Sequence, residues 1–207
     1  YFMAEQKLSM AGPPTSLVDG EGSAASATEA GFNIPGLIDT EWLGVNFNNR
    51  DVKIIDLRTQ PEYNTSHIPG SIFLSIESLR GVVHGVPSML LPAELLALHL
   101  GQMGIKPSDM VVLVPGTAVR DATLVAMALE RLGHRRYGVL DGGVGKWAAE
   151  KRPVDNRLPV ITQTKYPLCH SCRDTFTVDY QTVLQHIGRP GVIILDVRPK
   201  EYFTGKK

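Results

Sequence analysis

The chain has 207 residues, 43% of them hydrophobic and 20% charged, with 21 basic and 21 acidic side chains. A formal net charge of zero argues against nucleic acid or an anionic membrane as the main partner, because both demand clustered positive charge. No run of eighteen apolar residues is present, so no spanning helix is predicted.

Residues 1–35 are rich in Gly, Ala, Ser and Pro and lack periodic apolar positions. They read as a disordered tail or linker. No signal peptide is visible, which tilts the compartment toward the cytoplasm over the periplasm, but Tyr1-Phe2 precede Met3 and the compartment stays open.

Order is expected from about Gly36. Asp39 or Thr40 can cap a short helix over EWLGVNF, and VKIID at 52–56 is a compact strand ending on Asp56. The following DLRTQPEYNTSHIPG reads as a loop, and SIFLSI at 71–76 as a short strand or strand-turn. From Pro92 the pattern is helical, with Gly104 closing it. Met110–Val114 is a near-continuous apolar run, the mark of a strand buried on both faces of a parallel sheet. Asp121 is the expected N-cap of a helix running to Gly133. Residues 137–140 form another strand. Gly142 and Gly143 turn the chain into a last short helix that carries Trp147 against the body. Strands alternating with helices predict an α/β fold with a doubly wound parallel sheet.

The stretch 152–175 holds three prolines and reads as a connector. It contains CHSC, with Cys169 and Cys172. The pair could be bystanders, half of a metal site or a redox pair; there is no second CxxC to complete four zinc ligands. No metal or cofactor is expected.

After the connector a pattern returns. VDYQTVLQHIGRPGVIILDVRPKEYF matches TEWLGVNFNNRDVKIIDLRTQPEYN, so that Asp56 and Arg58 are repeated as Asp196 and Arg198, 140 residues on. A period of one domain length predicts a duplicated domain. The second copy reaches only its first helix and strand, too little to bury a core alone, so the chain reads as truncated there. The expected organisation is a tail over 1–35, a domain over 36–155, a linker over 156–175 and the start of a second domain over 176–207.

IIDLR, EYNTSHIPGS, VVLVPGTAVRDA and LDGGVGKW follow one another in order. Together they resemble the rhodanese family of sulfurtransferases, and the repeat resembles its tandem, thiosulfate-type members. The resemblance implies the rhodanese-like α/β fold and a cysteine after the strand. Its thiolate takes sulfur from a donor such as thiosulfate and passes it from the persulfide to a thiophilic acceptor. A loop of backbone N–H groups at a helix N-terminus would hold the anionic persulfide and lower the thiol pKa.

In this chain Pro115 stands at the nucleophile position, followed by Gly116, Thr117, Ala118, Val119 and Arg120. Proline has neither thiol nor backbone N–H. The first domain is therefore expected to be non-catalytic, with the second domain as its intramolecular partner and the site of the cysteine. The alternative is a non-catalytic module that binds an anion or a protein. Residues 116–121 are the anion-binding candidates, with Arg120 at the loop mouth and Asp121 partly opposing it. Thr117 is the one hydroxyl, without an evident base. Pro115→Cys is expected to create a thiol with a lowered pKa, given the cradle and the helix end. Asp56 and Arg58 are either a strand-end ion pair or a contribution to a ligand or domain interface. Glu62 and His67 belong to the same segment, with His67 read as a structural hydrogen-bonder. By resemblance only, Arg198 and Glu201 would help shape the second site.

Overall fold

A computed structural model describes residues 36–169 and 177–206, which fall in two separate units. The expected tail over 1–35 lies outside the described residues, as does Cys172.

The larger unit is built on five parallel strands. In chain order they are β1 (Gly36–Ile38), β2 (Val52–Asp56), β3 (Ile72–Phe73), β6 (Met110–Val114) and β7 (Tyr137–Leu140). The sheet order is β1-β7-β6-β2-β3. β2 and β6 pair in register over their full length, from Val52 opposite Met110 to Asp56 opposite Val114.

The alternation of side chains along β6 divides the core. Val111 and Leu113 belong to the apolar cluster that takes in α3 (Ala93–Gln102) and α4 (Arg120–Arg131). Val112 and Val114 belong to the opposite cluster, with Leu43 of α1 (Thr40–Asn46) and Val144 and Trp147 of α5 (Gly143–Ala149). Both faces are covered, which is why the strand reads as apolar throughout. This is the doubly wound arrangement that the alternating pattern predicts.

Several elements differ from the expectation. The segment after β2 is not all loop: α2 (Gln60–Thr65) forms there. Its carboxylate Glu62 accepts from the backbone N–H of Thr59 at 2.9 Å and from its hydroxyl at 2.5 Å, a capping box in which a proline occupies the first turn. β3 is only two residues long and is followed by a 3₁₀ turn at Ile76–Leu79. An antiparallel hairpin, β4 (Arg80–Val83) and β5 (Val86–Leu90), stands apart from the main sheet.

The smaller unit, over residues 177–206, contains α6 (Tyr180–His186) and α7 (Lys200–Phe203). The apolar segment between them is not a strand: among the described residues it pairs with no neighbour. Ile193, Leu195 and Val197 are 77%, 68% and 91% exposed, alternating with half-buried Val192, Ile194 and Asp196. The period-two pattern is present without a ladder to join, and a ladder is what defines a strand.

Candidate functional site

At the carboxyl ends of the parallel strands, where ligands bind in folds of this kind, a pocket of about 350 Å³ opens beside the loop between β6 and α4. Pro115, Gly116, Thr117 and Val119 line it from that loop. Arg58 and Glu62 line it from the β2–α2 side, and residues 141–145 from the turn into α5. The loop is held close to both neighbours. A Cβ on Gly116 would lie 3.3 Å from the Cα of Arg58, and one on Gly143 would lie 3.3 Å from the carbonyl oxygen of Pro115. Gly143 and the capping Gly142 both have positive φ, 53° and 75°. Backbone approach and left-handed conformation thus both require glycine at 143.

Three of the candidate anion-binding residues do not line the pocket. Arg120 has an 87% exposed side chain and lies 3.9 Å from the carboxylate of Asp121. Ala118 and Asp121 are also absent from the lining. Asp121 is not the N-cap. That position is Val119, in helical conformation and without a side-chain hydrogen bond, and Asp121 sits one turn-position inside the helix. The loop enters α4 already wound, so the Asp121 and Ala122 N–H groups donate to the carbonyls of Ala118 and Val119 at 3.1 and 3.0 Å. Those two N–H groups are engaged within the first turn of the helix.

Asp56 and Arg58 form one compact unit. Asp56 is fully buried at the end of β2. Arg58 donates to it from Nε at 3.0 and 3.2 Å and from an Nη at 2.7 Å, while the backbone N–H of Arg58 donates at 3.0 Å. The same Nη donates to the carbonyl of Ser66 at 2.7 Å. The guanidinium borders the pocket with its charge already neutralised at close range. Glu62 is the exposed carboxylate on that side; hydrogen bonds from Thr59, helped by the Arg58 charge, hold its carboxyl below the usual range.

His67 is enclosed within the larger unit. It is fully buried and stacks on Tyr63 at 4.0 Å. Its Nδ1 lies 2.7 Å from the Tyr63 carbonyl and its Nε2 3.1 Å from that of Arg157. Its backbone exchanges two hydrogen bonds with Asp155, at 2.7 and 2.8 Å. It is therefore not available as a base for Thr117. Trp147 is fully buried, donates from its indole N–H to the Pro153 carbonyl at 2.7 Å and meets Phe47 edge-on.

Leu37 lines the pocket and carries no motif that marks it in the sequence; Asp141, which lies within the LDGGVGKW segment without being among the expected site residues, lines it too. Asp141 directly follows β7 and is paired with Lys146 at 2.9 Å. Leu37 belongs to β1, an element too short to announce itself. Cys169 is disulfide-bonded. No grouping of His, Cys, Asp and Glu suited to a metal occurs among the described residues.

In the smaller unit, Asp196 and Arg198 repeat the Asp56–Arg58 geometry. Arg198 donates from its backbone at 3.0 Å, from Nε at 2.9 and 3.1 Å and from an Nη at 2.6 Å. These bonds bring the Asp196 carboxyl down to about 2. The helix caps match as well. Asp39 accepts from the Trp42 N–H at 2.6 Å and Asp179 from the Thr182 N–H at 2.7 Å.

Comparison with known proteins agrees with this arrangement. The Rhodanese-like domain family matches residues 39–150. A putative thiosulfate sulfurtransferase of Synechococcus elongatus is 31% identical over 187 residues, covering 89% of this chain and 56% of the relative. A thiosulfate sulfurtransferase of Azotobacter vinelandii is 26% identical over 175 residues, covering 84% of this chain and 64% of the relative. The chain thus spans a little over half the length of these relatives. Among solved structures, a 3-mercaptopyruvate sulfotransferase from Escherichia coli superposes with a TM-score of 0.69 at 20% identity, over 84% of this chain and 69% of that one. No helix among the described residues is long and apolar enough to cross a membrane. The strand order, the loop between β6 and α4 and these likenesses together place the chain in the rhodanese-like family of sulfurtransferase homologues.

Proposed function

We propose that this chain is the N-terminal part of a tandem thiosulfate-type sulfurtransferase, in which the first domain is non-catalytic and the nucleophile belongs to the second. In that reaction a cysteine thiolate attacks the outer sulfur of thiosulfate. The sulfur–sulfur bond of the donor breaks, sulfite leaves, and the persulfide yields its sulfur to a thiophilic acceptor such as cyanide or a thiol. Pro115 can do none of this. The observation that carries the reading is the pair Asp196–Arg198, which reproduces Asp56–Arg58 bond for bond and follows a helix capped in the same way. Two such strand ends 140 residues apart support a duplicated domain. The exposed alternating side chains of Ile193, Leu195 and Val197 suit a strand awaiting its sheet.

The test is a thiosulfate:cyanide assay on the purified 207-residue chain carrying Cys169→Ser and Cys172→Ser. The expected result is no turnover above the uncatalysed rate. Turnover that survives purification would overturn the assignment of a silent first domain. Reading the frame past Lys207 tests the rest: a strand followed by a cysteine loop supports sulfur transfer. A second loop without cysteine supports instead a binding module that keeps the rhodanese-like shell.

A further inference from the structure

The connector beyond the family match is clamped against the larger unit. The Thr164 N–H donates to the Gly101 carbonyl at 2.8 Å, and the Thr164 hydroxyl donates to the Ile105 carbonyl at 2.8 Å. The approach is so close that a Cβ on Gly101 would lie 2.5 Å from the Thr164 carbonyl oxygen. Two residues on, Tyr166 is 6% exposed and its hydroxyl lies 2.9 Å from Nδ1 of His134, itself 1% exposed. The other ring nitrogen, Nε2, lies 3.1 Å from the carbonyl of Arg136. A carbonyl only accepts, so Nε2 carries the proton and Nδ1 is the bare acceptor that takes the Tyr166 hydroxyl proton.

We infer that His134 is a proton-sensitive latch: its neutral ring holds the connector over residues 162–166 in place, and its protonation releases that strap. A protonated ring here would be a charge shut away from water. The groups that face it come from every neighbouring element. Asp109, ahead of β6, is 1% exposed and accepts from the Lys106 N–H at 2.9 Å; its charge favours the imidazolium. Arg136, entering β7, favours it through its backbone carbonyl and opposes it more weakly through its guanidinium charge. Glu130 of α4 is taken up by Arg135 and by the Tyr137 hydroxyl. Tyr166 comes from the connector, and burial pushes its hydroxyl up to about 12, so it remains a donor at neutral pH. Burial outweighs the help from the Arg136 and Asp109 carbonyls and from the Asp109 charge, and holds His134 below its ordinary value of 6.5. Asp109, α4 and β7 are parts of the packed core. The connector, with neither helix nor strand over 162–166, is the cover that can lift and let water reach the ring.

The sign follows from linkage. With the strap open, the ring regains water and titrates higher than it does with the strap closed. Neutral pH leaves the closed state undisturbed. Between the open-state and closed-state titration points, each unit of falling pH favours opening by up to about tenfold.

Amide exchange on the intact protein under non-reducing conditions tests this. Protection is read at Thr164 and at Val112 in β6, corrected for intrinsic exchange, while the His134 ring is titrated by NMR. The expected result is a severalfold loss of protection at Thr164 between about pH 7.5 and pH 5.5, tracking the ring titration, while Val112 does not change. His134→Gln keeps an N–H for Arg136 and an oxygen for Tyr166, and should flatten the profile. The inference is overturned if Thr164 protection in the unmodified protein does not depend on pH. It is equally overturned if the loss occurs where the His134 ring does not titrate, or persists unchanged in His134→Gln.

Discussion

Asp56 and Asp196 make the same bonds in different surroundings, and the surroundings decide what each bond does. The Asp56 side chain is fully buried and that of Arg58 only 13% exposed, whereas Arg198 is 48% exposed. Removing one partner of a buried pair strands the other charge, at a cost of about 3–5 kcal/mol. Asp56→Asn should therefore lower the urea midpoint of the larger unit strongly, and Asp196→Asn should leave it where it is. Equal shifts from the two substitutions would contradict the distinction. The motif Asp-x-Arg is identical in both places, so the sequence reveals the pair and not its burial. Arg120 shows the same gap from the other side. Its spacing from Pro115 suits an anion-binding arginine, but α4 begins at that residue and carries its side chain out into solvent.

At the scale of elements, the strong periodic signals are reliable and the short ones are not. β2, β6, β7 and α3 are legible because each is long or uniformly apolar enough to bury a face. α2 hides behind Thr, Gln, Pro and Asn, residues that usually mark loops, and is secured by its capping box. β1 has only three residues. The β4–β5 hairpin turns through His84 and Gly85, both with positive φ, where Asn-Gly is the usual signal. The α2 cap carries a pH signature. Thr59 donors hold the Glu62 carboxyl below its ordinary 4.5, so the cap is fully formed above that value and is lost as pH falls through the lower, folded value. Thr59→Ala removes the hydroxyl donor. An NMR titration of Glu62 should then show its midpoint moving up toward 4.5, with faster amide exchange at Tyr63. An unmoved midpoint would mean that the hydroxyl contributes nothing.

At the scale of the whole molecule, the pocket is assembled at the ends of four strands, β1, β7, β6 and β2, and its charge balance emerges only from that assembly. Read along the chain, VPGTAVRDA looks like an anion cradle lacking only its cysteine. Folded, the same loop spends the Asp121 and Ala122 N–H groups internally and sends Arg120 outward. The chain also brings Glu62 and Asp141 to the pocket from opposite sides. Lys146 balances Asp141 and Asp56 balances Arg58, which leaves Glu62 as excess negative charge. A thiosulfate dianion would enter against that charge, and a thiol there would lack a free cation to lower its pKa. Pro115→Cys alone should therefore not restore thiosulfate:cyanide turnover, and alkylation of the introduced thiol should follow the pH profile of an ordinary cysteine, near 8.5. Adding Glu62→Gln should shift that profile toward lower pH by removing the exposed carboxylate. Turnover in the single variant, or a thiol titrating well below the ordinary range, would show that the loop still works as an anion cradle. The silence of this domain would then rest on the missing sulfur alone rather than on the charges gathered around it.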